Sequence, residues 1–306
     1  MNTELLQISV LRSLFSMPLT PLLRELVMLE CISEVHPFCS VSQSLALSCA
    51  SEISSRFNLN PEQSKVLTQC ANWFGSSNEA LSSSPSRFVL CHGVFGSGKS
   101  TLLIAAIHMF RDIRENSKHP IRVLLAAGTN VAVDRILMGL LTELENDDHC
   151  DNVQFHRVGS AKKVAKPVLR YMAADKDVIR DLQQMKRASR NKTERKHVDE
   201  ALNVLTTKQH SRKDRVARSM VVGVTCASSA STLLEDQTFD VLILDECSQI
   251  TEPLSLLPLI KSRCHHVLLV GDPKQLYVVP LSLSLYIHNF TILDCSTFHQ
   301  NTGLRP

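Results

Sequence analysis

Apolar residues in this chain follow two alternating patterns along most of its length. Short, continuous runs rich in Val, Leu and Ile occupy 88–92, 122–127, 153–158, 220–225, 241–244 and 267–270. Each is too short for a helix and is bounded by polar or turn residues, so each predicts a buried strand. Between them, 101–110 and 131–141 carry apolar residues at three- and four-residue intervals, the period of a helix with one buried face. Strands apolar on both sides, alternating with helices, predict an α/β fold whose parallel sheet is covered on both faces. No internal repeat interrupts the pattern.

Two segments depart from it. Residues 1–55 read as an N-terminal helical segment rich in Leu and Ser, whose apolar positions pack on a neighbour. Between 161 and 219, Val178, Leu182 and Met185 share one helical face, as do Val198, Leu202 and Leu205, with a turn at 189–193. That spacing predicts a helical hairpin inserted into the α/β domain. The last thirty residues, 277–306, hold only Asp294 and Arg305 as formal charges and show no period of either kind.

Charge sharpens this picture. The whole chain of 306 residues carries a net +3, which says little about partners. From 157 to 218, however, 18 Lys or Arg stand against 7 Asp or Glu, so the remainder is net acidic. The basic charge is concentrated in the insertion, as either a nucleic-acid-facing surface or a solvated helical face.

Composition narrows the class. At 44% apolar and 21% charged residues the chain is an ordinary globular one, large enough to bury a core without disulfides or metals. Its ten cysteines include no CxxC pair, a pattern of buried, reduced thiols rather than of a zinc site. The amino terminus lacks a basic start and a small-residue cleavage site, and Pro18, Pro21, Arg24, Glu25 and Glu30 interrupt its apolar stretch. Neither a secretory signal nor a membrane span is expected.

Four stretches carry chemistry. Residues 93–100 read GVFGSGKS and match the phosphate-loop pattern GxxxxGKS/T, with a strand before and a helix after. Gly93, Gly96, Ser97 and Gly98 let the backbone wrap a phosphate, while Thr101 opens the helix. Lys99 would reach the β- and γ-phosphates of ATP, and the Ser100 hydroxyl would ligate Mg²⁺. The strand at 241–244 ends in Asp245 and Glu246, where an open α/β sheet places its ligand chemistry. Asp245 would hold Mg²⁺, and Glu246 would orient and deprotonate the attacking water.

A third strand ends in GDPKQL at 271–276, where Gln275 is a neutral amide able to sense a γ-phosphate, or the stretch is a plain Asp-Pro turn. Upstream, Gln63 offers an amide to an adenine edge, although Asn60 followed by Pro61 also reads as a helix start.

In this order and at these spacings, the four stretches resemble the superfamily 1 helicases, in particular the up-frameshift-like branch and its members with a GRF-type zinc finger. The likeness runs from about Phe57 to Leu276. It implies a RecA-like nucleotide-binding domain over 56–276, with 161–219 as a basic helical subdomain beside a nucleic-acid channel. It also implies single-stranded nucleic acid as partner, with DNA favoured and RNA the alternative. Thr129, Asn130 and Val131 correspond to the family's motif Ia, and Thr225 to a second strand contact. ATP-dependent 5′-to-3′ unwinding, DNA repair and a nuclear location follow from the resemblance, with the cytoplasm as the other location.

The family's second RecA-like domain has no counterpart among these residues, nor do the zinc finger's paired cysteines. The resemblance therefore implies a motor half, truncated after its third ATPase motif and not expected to unwind alone. Two rivals stay open: a non-enzymatic fragment that binds nucleotide or nucleic acid, and a different P-loop ATPase or kinase. Oligomeric state is not legible.

Overall fold

The computed structural model describes residues 41–76, 86–145, 154–173, 176–189, 191–207, 212–272 and 291–294. Its centre is a seven-stranded sheet in the order β5-β6-β4-β7-β8-β3-β9, every adjacent pair parallel. The strands are β3 (Phe88–His92), β4 (Val123–Ala127), β5 (Phe155–Val158), β6 (Val221–Thr225), β7 (Val241–Asp245), β8 (His266–Gly271) and β9 (Thr291–Asp294). A two-residue pair, β1 (Val41–Ser42) with β2 (Gly75–Ser76), lies apart. This is the α/β fold with a parallel sheet that the alternating pattern predicts, and it is the RecA-like fold that the resemblance implies.

The period of two along each strand explains why both faces are covered. In β4, Val123, Leu125 and Ala127 join one hydrophobic cluster, while Leu124 and Ala126 join the other. The first cluster takes in α1 (Gln43–Arg56), α2 (Pro61–Ala71), α3 (Lys99–Ser117) and α4 (Asn130–Glu145). The second is closed by α8 (Glu252–Ser262), through Leu256, Leu257, Leu259 and Ile260. Among the described residues no helix is long and apolar enough to cross a membrane.

Two further segments join this frame. Gln43–Arg56 falls almost wholly within the N-terminal segment at 1–55, and its Ala46, Cys49, Ala50 and Ile53 are buried in the same cluster as α3, a packing on a neighbour of the kind that the apolar positions there imply. Residues 1–40 lie outside the described residues. In the tail at 277–306, which shows no sequence period, the backbone of Thr291–Asp294 pairs with β3 at the sheet's edge. A four-residue edge strand is too short to display a period.

The insertion holds α5 (Lys176–Ala188) and α6 (Lys192–Thr207), packed as a hairpin, followed by α7 (Arg212–Arg218). Val178, Leu182, Val198 and Leu205 are buried, and Met185 and Leu202 pack beside them, as the spacing predicts. Some of its charge is internally paired. Lys162 meets Asp181 at 3.0 Å, Lys166 meets Glu194 at 2.6 Å and Lys186 meets Asp199 at 2.7 Å. Lys163, Arg187, Lys192, Arg195, Lys213 and Arg218 remain exposed at the surface.

One buried ion pair ties this insertion to the sheet. Arg157 in β5 is fully buried, and its Nε donates to Asp134 Oδ1 of α4 at 2.8 Å. Its other nitrogens donate to the Val158 and Gly223 carbonyls and to Asn130 Oδ1. The second Asp134 oxygen accepts from the Ala165 amide at 2.7 Å, at the start of the insertion. At the N-terminal end of the interior strand β4, Arg122 donates to the carbonyls of Val216, Thr238 and Ser219. Its backbone N–H donates to Asp240, whose carboxyl burial pushes up to about 6, with the Arg122 amide and charge opposing.

Two stability predictions follow from these charges. Arg157→Leu leaves Asp134 as an uncompensated buried carboxylate, and we expect a loss of about 3–5 kcal/mol by urea denaturation. Adding Asp134→Asn should restore part of that loss; no recovery would place the cost in packing alone. For Asp240 the folded carboxyl titrates above its unfolded value near 3.9, so its contribution is present below about pH 4 and fades as pH rises through 6. Asp240→Asn should therefore flatten the urea midpoint between about pH 4 and 6; an unchanged slope there would show that another group sets it.

Candidate nucleotide site and nucleic-acid edge

Because the strands are parallel, β3, β7, β8, β4 and β6 all deliver their C-terminal ends to one edge of the sheet. β3 leads directly into residues 93–98, and α3 begins at Lys99. The loop is tied to β8 by the Gly93 amide, which donates to the Gly271 carbonyl at 3.1 Å. Gly96 and Gly98 take φ values of 78° and 79°, a left-handed conformation that side chains disfavour. At Gly98 a Cβ would also lie 2.9 Å from the Gln63 amide nitrogen.

The loop curls into a cradle. Lys99 Nζ donates to the Gly93 and Val94 carbonyls at 2.7 and 2.9 Å, which holds its ammonium across the loop. Ser97 is buried, and its Oγ makes no hydrogen bond within the protein. A Cβ on Gly93 would lie 2.5 Å from that hydroxyl, so the Ser97 side chain fills the space beside Gly93 and leaves no room for another there. Ser100 is half-buried and Thr101 exposed in the first turn of α3, whose leading N–H groups lack partners within the helix. An orphan hydroxyl, an ammonium and a helix start around one concave loop fit a phosphate chain.

Gln63 makes contacts of its own within the protein. It is buried in α2, where its Oε1 accepts from the Asn60 amide at 3.1 Å and Asn60 Oδ1 accepts from the Gln63 amide at 2.8 Å. This reciprocal cap starts the helix, as Asn60 and Pro61 predict. Its Nε2 donates to the Ser97 carbonyl at 2.9 Å. The structure thus makes Gln63 a brace for the phosphate loop. Only one N–H and one lone pair of its amide remain for an adenine.

At the end of β7, Asp245 is buried and Glu246 half-buried. Glu246 has φ 54°, an uncommon left-handed conformation for a residue with a side chain, and the turn Cys247–Gln249 follows it. Burial raises the Asp245 carboxyl above the ordinary range, the Arg135 charge opposes that rise, and the neighbouring Glu246 adds to it. Arg135 of α4 reaches both acids, with Nη2 at 3.2 Å from Asp245 Oδ2 and 3.2 Å from Glu246 Oε1. A buried acidic pair that already draws a cation fits a divalent metal, with Asp245 and Ser100 as the candidate ligands.

The turn after β7 is also fastened to the end of β8. Ser248 Oγ donates to the Asp272 carbonyl at 3.0 Å and accepts from the Asp272 amide at 3.2 Å. Gln275 lies outside the described residues. Arg135 and Ser248 are the two members of this site that sequence reasoning passes over. Neither a single Arg within a helix nor a Ser within a turn carries a motif-level signal.

The four residues assigned to nucleic acid gather at the ends of β4 and β6, which are neighbours in the sheet. They differ in what they present. Thr129 Oγ1 accepts from the Ala132 amide and caps α4. Asn130 Oδ1 accepts from buried Arg157, and Thr225 Oγ1 bonds Ser228 through both its hydroxyl and its amide. Thr129 and Val131 are both exposed, Val131 at 76%. The side-chain oxygens of Asn130 and Thr225 are engaged within the fold, and Thr129 and Val131 are the two of the four that face solvent.

Comparison with known proteins agrees with this geometry. A family model described as an AAA domain matches residues 58–213 and 174–282. The mouse 5′-3′ DNA helicase ZGRF1 is 37% identical over 249 residues, covering 75% of this chain and 13% of that protein. The probable helicase MAGATAMA 3 of Arabidopsis thaliana is 29% identical over 56% of the chain and 20% of its own length. The mouse DNA replication ATP-dependent helicase/nuclease DNA2 is 29% identical over 62% of the chain and 14% of its own length. This chain thus spans a fifth or less of each of these three relatives. With its parallel sheet, phosphate loop and acidic strand end on one edge, the chain belongs to the up-frameshift-like helicase family and carries its AAA-type ATPase domain.

Proposed function

We propose that this chain is the nucleotide-binding unit of a 5′-to-3′ DNA helicase, hydrolysing ATP in step with a single strand held at the ends of β4 and β6. The cradle at 93–98 is the observation that carries the reading. It brings an ammonium, an orphan hydroxyl and a helix start to one point, across from a buried acidic pair. Within the unit, 56–276 is the nucleotide-binding domain and 161–219 its basic insertion, facing the strand.

The roles follow from chemistry and position. Lys99 exchanges its two carbonyl partners for β- and γ-phosphate oxygens, a stronger, charge-assisted contact. Gly93, Gly96, Ser97 and Gly98 wrap the phosphates, and the first turn of α3, Ser100 and Thr101 included, faces them. Asp245 and Ser100 hold Mg²⁺, which supplies Lewis-acid neutralisation of the phosphate charge. Glu246 orients the attacking water and takes its proton. Gln275 senses the γ-phosphate, and Ser248 links Asp272 at the end of β8 to the turn beside the acidic pair.

On the other half of the edge, Val131 packs on the strand and the N-terminal amides of α4 meet its phosphates. The exposed lysines and arginines of the insertion extend that contact electrostatically. DNA as substrate, a place in DNA repair and a nuclear location are supported by the relatives named as DNA helicases. RNA is the alternative substrate.

Steady-state ATP hydrolysis by the purified chain, with and without single-stranded DNA, tests the reading. We expect turnover that DNA stimulates and that Lys99→Ala reduces to background. Nucleotide binding without turnover in either condition would favour a non-enzymatic binding module, and stimulation by RNA alone would reassign the strand. For Gly98→Ala, the strain of a left-handed backbone costs about 1–3 kcal/mol. Its Cβ also crowds Gln63, so we expect at least about a tenfold loss of fluorescent-nucleotide affinity with unchanged circular dichroism. Undiminished affinity would take the phosphates away from this loop.

A further inference from the structure

Arg135 sits on α4, the helix whose first turn forms the strand-contact edge, yet its guanidinium reaches across to the acidic pair at the end of β7. The contact is unusual in form. An arginine engaging a carboxylate commonly lays its fork of two nitrogens on one partner. Here a single nitrogen, Nη2, lies 3.2 Å from Asp245 and 3.2 Å from Glu246. That is a bridging position between two anions, the kind of position a metal ion takes.

The two ends of the contact differ in their freedom. Asp245 is held on a buried strand end and is 2% exposed at its side chain, whereas the Arg135 side chain is 49% exposed. The carboxylate cannot leave, and the guanidinium can. Half-exposed ion pairs of this kind contribute little, about 0–1 kcal/mol. A divalent ion coordinates carboxylate oxygen at about 2.1 Å, so its Coulomb attraction is about three times that of a single charge at this separation. Against that stands the reluctance of such an ion to shed its water. A bare ion therefore meets a small but real competitor, while one arriving on a triphosphate brings further ligands and wins.

We propose that Arg135 is a positioning residue whose guanidinium and a divalent cation are alternative partners of Asp245 and Glu246, making metal loading depend on nucleotide. The inference rests on the assignment of Asp245 as a cation ligand. It deepens that assignment by naming what holds the site against bare cations. The same nitrogen also contacts Glu246, so one guanidinium is shared between the two carboxylates until the exchange occurs.

Mn²⁺ is the probe, and the loss of its free electron paramagnetic resonance signal is read during titration of the full 306-residue chain without nucleotide. Arg135→Gln keeps a hydrogen-bonding amide and removes the charge, so Mn²⁺ should bind about two- to fivefold tighter than to the unaltered chain. Arg135→Lys keeps the charge and should behave as the unaltered chain does. With ATP present the difference should shrink, because phosphate oxygens and Ser100 then share the ion. Equal or weaker Mn²⁺ binding by Arg135→Gln, with an unchanged urea midpoint, would overturn the competition. If the tighter binding survives the addition of Asp245→Asn, the ion sits elsewhere. That result would sink the ligand assignment itself, separately from any effect of Arg135.

Discussion

Parallel pairing is the constraint on which the other features rest. Each of the seven strands must return to the same end of the sheet before the next begins, so the helices fill both faces and the C-terminal ends collect along one edge. Backbone amides and polar turns concentrate there, beyond the reach of the ladder's hydrogen bonds. The phosphate loop after β3, the acidic pair after β7, the end of β8 and the polar ends of β4 and β6 lie along one edge for this reason alone. Sequence separations of more than a hundred residues vanish at that edge. One contact shows it directly: the Gly93 amide donates to the Gly271 carbonyl.

Two acid–arginine contacts on α4 show how burial decides what a charge does. Asp134 and Arg157 are both buried, their remaining polar atoms are bonded to backbone groups and to Asn130 Oδ1, and the pair acts as a fixed rivet between α4, β5 and the insertion. One residue further along the helix, Arg135 meets Asp245 and Glu246 with its side chain half in water. Solvent there screens the attraction and leaves the guanidinium mobile, so the contact is exchangeable. Adjacent positions on one helix thus serve permanence and turnover.

Bracing of the loop has a similar logic. A loop with two left-handed glycines has many accessible conformations when unrestrained, and ordering it costs entropy at each of them. Gln63 offsets part of that cost, because its side chain is already immobilised by the cap of α2 before it reaches the Ser97 carbonyl. The loop is held from outside by an amide and from inside by the Lys99 ammonium. This preorganisation leaves the phosphate-facing N–H groups aimed without strain from the ligand.

Local pattern determined a good deal by itself. Six of the seven sheet strands, the helices after β3 and β4, and the hairpin of α5 and α6 follow from apolar spacing, because each element buries one repeating set of residues. The phosphate loop and the acidic strand end are equally legible, since their chemistry lies in consecutive residues. Pairwise partners were not legible. Arg135, Ser248 and the inward turn of Asn130 and Thr225 depend on which strand ends become neighbours, and no local spacing encodes that. The same holds for Gln63, whose amide could serve an adenine or a backbone carbonyl until the fold placed Ser97 beside it. The edge strand Thr291–Asp294 was missed because four residues at a sheet's edge need only backbone pairing, which leaves no mark on side-chain choice. Sequence fixes what each element buries, and the tertiary structure alone decides which polar groups meet, because hydrogen bonds and ion pairs act only at contact distance.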